Sequence, residues 1–136
     1  MRRPRTLLEV AERAQQGEQA FDPALREFLD YFYANPKGRA RAIAEAPPLL
    51  DNDVQDAYLA AVAEHLARCY DIDVPAWSET RGLTLQRPFF AGGLESLKAV
   101  LTVESPTAFR RRMLFVSKDA LSRPLMLTSE AANSAR

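Results

Sequence analysis

At 136 residues, with 47% hydrophobic and 26% charged residues, the chain is long enough to bury one core without disulfides or metals to staple it. Eighteen Lys and Arg balance eighteen Asp and Glu, so no global field gathers nucleic acid, and polyanion binding would have to come from local clusters. One cysteine, Cys69, excludes an internal disulfide, and no apolar run approaches the ~18 residues of a membrane span.

The opening "MRRPRTLLEVAERAQQ" starts basic, but "TLLEVAER" is too short and too charged for the apolar part of a secretory signal. A soluble, cytoplasmic protein is expected. Thr6 and Glu9 form a T-x-x-E capping box, which predicts a helix from Leu7 to Gln16. In "FDPALREFLDYFYANP", Asp22 reads as an N-cap and Pro23 as the first helical residue. Leu25, Phe28, Leu29 and Phe32 then follow at i, i+3, i+4, i+7. Asn35-Pro36 repeats the device ahead of "KGRARAIAEA", a surface helix with one large apolar residue, Ile43, and Pro47-Pro48 ends it.

"DVQDAYLAAVAEHLARC" is the expected central helix. Asp53 is its cap, and Val54, Ala57, Tyr58, Ala61, Val62, His65, Leu66 and Cys69 form its buried stripe. Pro75, Gly82, Pro88 and Gly92-Gly93 interrupt the following segment, whose Val74, Trp77, Leu83, Leu85, Phe89 and Phe90 are too apolar for a free linker. An ordered loop is expected there, with one helical turn or a short extended piece. "LESLKAVLTVE" returns to helix with Leu94, Leu97, Val100 and Leu101 on one face. The tail at 128–136 is small and polar and should fray. The fold class is therefore all-α: a single compact domain, residues 1–127, of about five helices with an aromatic-rich loop at about 71–93.

Little in the chain spells out a reaction. His65 and Cys69 share a helical face, but within the expected core stripe a Cys-His pair would be closed to substrate, and two ligands are too few for zinc. Asp51 with Asp53, and Asp71 with Asp73, form D-x-D pairs of the type that holds magnesium for phosphoryl transfer. The first pair lies at a helix start and the second in loop sequence before Pro75, and no glycine-rich phosphate loop accompanies either. A non-enzyme with no cofactor and no metal is expected.

Cations cluster at Arg2, Arg3 and Arg5, at Lys37, Arg39 and Arg41, and at Arg110, Arg111, Arg112, Lys118 and Arg123. The first two clusters read as solvated faces. The third follows a segment, residues 97–112, that resembles a helix-turn-helix with Ser105-Pro106 opening the second helix. Val103, however, stands where such turns usually carry glycine, and a β-branched residue fits a left-handed turn poorly. Phe109 and Met113, four apart, should both face the core. Arg112 then sits at the buried edge against a carboxylate such as Glu104, while Arg110 and Arg111 form an exposed pair suited to carboxylate or phosphate.

The blocks "REFLDYFY", "DAYLAAVAEHLA", "VPAW" and "PFFAGGLESLKAVLTVESPTAFRRRMLFVSKDALSRP" resemble, in that order, a small, mostly uncharacterised bacterial family. Its members close on E-S-P-x-x-F-R-R-R-x-x-F-V-S-x-x-x-L-x-R, and the likeness runs roughly from Leu25 to Pro124. The closing motif is the specific part; the earlier blocks are helical patterns. Met113-Leu114 departs from a position that is often polar in the family. The resemblance implies a gene beside a nucleotidyltransferase-type toxin of the abortive-infection kind, and so an antitoxin-like or regulatory role.

The expected function is thus a non-catalytic interaction protein that binds and restrains a cognate enzyme. Arg110, Arg111, Lys118, Arg123, Trp77 and Phe90, residue types suited to interface anchors, are the candidate partner-binding set. The alternative is a DNA-binding regulator reading with residues 97–112. A third reading is phosphoryl or nucleotidyl transfer at Asp71 and Asp73.

Overall fold

The computed structural model describes residues 3–81, 83, 85–92 and 97–123. Arg2, Gly82, Gly93, Leu94 and the tail at 128–136 lie outside the described residues. The chain is mostly helical: α1 (Leu7–Ala14), α2 (Phe21–Ala34), α3 (Arg39–Ala44), α4 (Asp53–Cys69), α5 (Ala76–Thr80), α6 (Lys98–Glu104) and α7 (Thr107–Arg110). Two-residue strands, β1 (Phe89–Phe90) and β2 (Leu114–Phe115), pair in parallel, Phe89 with Leu114 and Phe90 with Phe115. No helix among the described residues is long and apolar enough to cross a membrane.

The first helix forms as its capping residues dictate. Thr6 Oγ1 accepts from the Glu9 N–H at 3.1 Å, and the Glu9 carboxylate accepts from the Arg5 N–H at 2.7 Å. Leu7, Val10, Ala11 and Ala14 bury one face, largely against α2. The helix stops at Ala14, two residues short of the expected Gln16.

For α2, the expected cap is displaced. A 3-10 turn over Glu18–Ala20 runs straight into a helix that begins at Phe21, so Asp22 and Pro23 lie inside its first turn. Proline is tolerated there because the first four helical N–H groups have no intrahelical acceptor in any case. Phe21, Ala24, Leu25, Phe28, Leu29 and Phe32 are buried. Asn35 does not cap the next segment; its Nδ2 donates to the Tyr31 carbonyl, and Pro36–Gly38 forms a 3-10 turn. In α3, Ala42 joins Ile43 in the core. Arg39 is no solvated cation: Nε donates to Phe32 O and Nη2 to Tyr33 O, and the guanidinium lies 4.3 Å from the Tyr70 ring centroid. It thereby serves the carbonyls at the C-terminal end of α2.

The longest helix, α4, is central as expected, but Asn52 rather than Asp53 caps it, accepting from the Gln55 N–H at 3.0 Å. Asp51, just upstream, is in the left-handed conformation at φ 58°. The burial is not a stripe. Leu59, Ala60, Ala63, Glu64 and Ala67 are buried along with Ala57, Ala61, Val62 and Leu66, because other elements, α3, α5, α7 and β2 among them, pack around the helix. The expected stripe fails at its end: Cys69 is exposed and His65 half-buried, with Cys69 Sγ 3.5 Å from His65 Nε2. The pair therefore sits at the surface, not in the core. Burial lowers the His65 pKa, which favours the neutral ring.

The segment after α4 is ordered by its aromatics. Trp77 on α5 donates its Nε1–H to the Ile43 carbonyl at 3.0 Å, and Phe90 stacks on Phe115 across the strand pair at 4.9 Å between centroids. The closing residues return to α2: Tyr33 Oη donates to Leu121 O at 2.7 Å, and Arg123 Nε meets Asp30 Oδ1 at 2.9 Å.

Candidate functional site

The third cationic cluster is divided by the fold. Helix α7 is a single turn; the backbone leaves it at Arg111, and Met113 takes the left-handed conformation at φ 61° before β2. Met113 is therefore half-buried in a turn rather than facing the core from a helix, while Phe109 is fully buried. Val103 lies within α6, and the break between helices falls at Ser105-Pro106. The buried Ser105 hydroxyl locks that break, within 2.6 Å of Leu101 O and 2.9 Å of Val116 O, and accepts the Val116 N–H at 2.7 Å.

Arg112 is wholly buried, and its partner is Glu64, not Glu104. Nη1 donates to Glu64 Oε1 at 2.6 Å and to Ala108 O, Nε donates to Arg81 O, and Nη2 donates to Ser78 O. One planar group thus ties α4, α5 and α7 together, using donors on all three nitrogens. Glu104 instead accepts the Lys118 N–H at 3.0 Å.

Glu64 holds two more cations. Its Oε2 accepts from Arg68 Nε at 3.0 Å and from Arg111 Nη1 at 3.2 Å. Burial alone would raise the Glu64 carboxyl, but hydrogen bonds from Arg112 and Arg68 and the charges of Arg112 and Arg111 outweigh it, leaving the pKa below the usual range. Burial likewise lowers the Arg112 pKa while Glu64 opposes it. A guanidinium remains protonated throughout the physiological range regardless.

Of the six residues expected at a partner surface, four are already engaged within the fold. Arg111 is held by Glu64 and donates to Glu79 O, so it is not one half of a free pair with Arg110. Arg123 is paired with Asp30 across two contacts, and Trp77 is half-buried, with Arg81 over its ring. Phe90 is half-buried between Phe115 and the Lys98 ammonium. Arg110 and Lys118 are exposed.

The sequence places Leu97, Val100 and Leu101 on one helix face, and the structure divides that face between core and surface. Leu97 is 40%, Val100 51% and Val103 77% exposed, at three-residue spacing along and just before α6, while Leu101 alone points inward. The spacing was visible, but an apolar helical row reads as core unless its covering element is known.

Two clefts are lined by described residues. One, of about 640 Å³, lies between α2, the start of α4 and residues 89–92 and 120–123, with Phe21, Leu25, Tyr58 and Phe89 among its walls. Its Asn52 already caps α4 and its Arg123 is committed to Asp30. The second, about 460 Å³, brings Asp71 and Asp73 together with Ala40, Ala44 and Val74. Asp71 is in the left-handed conformation at φ 57°, and no group of three metal-ligating side chains occurs among the described residues.

No family model, curated protein or solved structure matches the chain.

Proposed function

We propose that the protein is a non-catalytic, antitoxin-like interaction protein that binds and restrains a cognate enzyme in the cytoplasm. The observation that carries this reading is the uncovered row Leu97, Val100 and Val103. Apolar side chains in register along one helix face, left in water, gain by burial against a second surface. Lys118 is exposed, and its backbone N–H is held by the Glu104 carboxylate at the end of α6. The matching surface is an apolar groove. The resemblance of the closing "ESPTAFRRRMLFVSKDALSR" to a toxin-neighbouring family supports a nucleotidyltransferase-type enzyme as its owner.

Co-expression with the product of the adjacent gene tests this directly. A complex should co-purify, and Val100→Asp with Val103→Asp should weaken it by about tenfold or more while leaving the fold intact, since both sites are exposed. Salt-sensitive binding of the isolated protein to its own promoter, lost in Arg110→Ala, would instead make it a DNA-binding regulator.

A further inference from the structure

Three guanidiniums meet one carboxylate where α4 and α7 cross, and the charge does not balance. Glu64 supplies one negative charge against Arg68, Arg111 and Arg112. Arg112 is buried and completed by three carbonyls, so its donors are committed to the fold. Arg68 and Arg111 are less fully committed: their side chains are 60% and 38% exposed, and both reach the same oxygen, Glu64 Oε2, within 3.2 Å, Arg111 Nη2 donating also to Glu79 O. Among the described residues, the terminal nitrogens of Arg68 meet no protein acceptor. The Glu79 side chain is exposed and forms no ion pair with either group among the described residues.

We propose that Arg68 and Arg111 together form a binding site for a dianionic phosphate group. Glu64 pins one nitrogen of each guanidinium, which fixes their approach before any ligand arrives and lowers the ordering cost of binding. The surplus of two positive charges matches a phosphate monoester or inorganic phosphate. Its terminal oxygens can accept from both guanidiniums at once, and its two charges match the local surplus, which the single charge of a carboxylate does not. The site is separate from the docking face on α6 and does not depend on it.

The test uses the full chain with labelled arginine side chains, titrated with inorganic phosphate at constant ionic strength and neutral pH. The Nε–H signals of Arg68 and Arg111 should shift together and saturate, and Arg68→Gln or Arg111→Lys should each weaken binding about tenfold. Arg41→Gln, an exposed cation elsewhere, should change nothing. A phosphomonoester that binds more tightly than inorganic phosphate would identify a small phosphorylated ligand; equal affinity would identify free phosphate. Both results support the site. Equal shifts with chloride, equal affinity for acetate, or an Arg68→Gln variant that titrates like the parent would overturn it. Tighter binding at these arginines by a DNA oligonucleotide, whose diesters carry one charge each, would overturn the dianion assignment.

Discussion

Replacing Arg112 by Lys keeps the charge and most of the volume, so it isolates what the guanidinium shape contributes. Arg112 serves four acceptors from three nitrogens: Glu64 and Ala108 from Nη1, Arg81 from Nε, and Ser78 from Nη2. A single ammonium cannot occupy three positions, so one or two buried carbonyls lose their donor. Each such group costs about 1–3 kcal/mol, giving about 2–4 kcal/mol for Arg112→Lys. Arg112→Met removes the buried cation as well and should cost about 3–5 kcal/mol. That is a large share of the roughly 5–15 kcal/mol that holds a domain of this size together. Arg111→Lys, at a partly exposed site on the same carboxylate, should cost less than about 1 kcal/mol. Urea unfolding followed by circular dichroism reads all three. If Arg112→Lys stays within ~0.5 kcal/mol of the parent, or Arg111→Lys costs as much, the lattice of bonds around Arg112 is not what holds α4, α5 and α7 together.

The tyrosines give a prediction at the other end of the pH scale. Burial pushes Tyr33 and Tyr58 up to about 12, helped at Tyr33 by Tyr70 and at Tyr58 by the Asp22 charge. The folded state keeps these protons when the unfolded chain loses them, so their contribution is complete below about pH 10 and disappears as pH rises towards about 12. An ultraviolet titration should show two of the four tyrosines ionising late, together with alkaline unfolding. Ser105→Ala leaves the Val116 N–H without its acceptor and should cost about 1–3 kcal/mol. Amide exchange at Val116 should accelerate by more than at Leu101; unchanged exchange there would mean that the hydroxyl is not its acceptor.

Local chemistry in the sequence was sufficient for several elements, though not at Asp22 and Asn35, whose expected caps do not form. Thr6 with Glu9, the spacing of Leu25, Phe28, Leu29 and Phe32, and the Pro47-Pro48 stop all act within a few residues, and each produced the expected helix or break. Choices between neighbouring candidates were harder. Asn52 and Asp53 are both good caps, and the left-handed backbone at Asp51 places the first of them at the junction. Contacts over long separations were not legible. Glu64, with Arg68 one turn later, has the pattern of a solvated surface pair, and only packing of distant elements, with Arg112 48 residues away in the turn after α7, makes it a buried carboxylate. Reading "FRRRM" as one helix set Arg112 apart from its neighbours, but α7 ends at Arg110 and Arg112 lies in the turn beyond it, and phase cannot say which acid it meets. Cys69 marks the same limit from the other side: a correct period continued past the end of the packed surface.

The return of residues 121 and 123 to α2 has a consequence for synthesis. Tyr33 meets Leu121 across 88 positions, and Asp30 meets Arg123 across 93. During translation α1 and α2 leave the ribosome ahead of the rest of this core and can pair at once, since their contacts are local. Phe109, Leu114 and Val116, which complete the core, arrive long after, just ahead of that clasp. Most of the growing chain therefore waits with core surface uncovered, and a product cut short before Phe109 retains that exposure for as long as it survives.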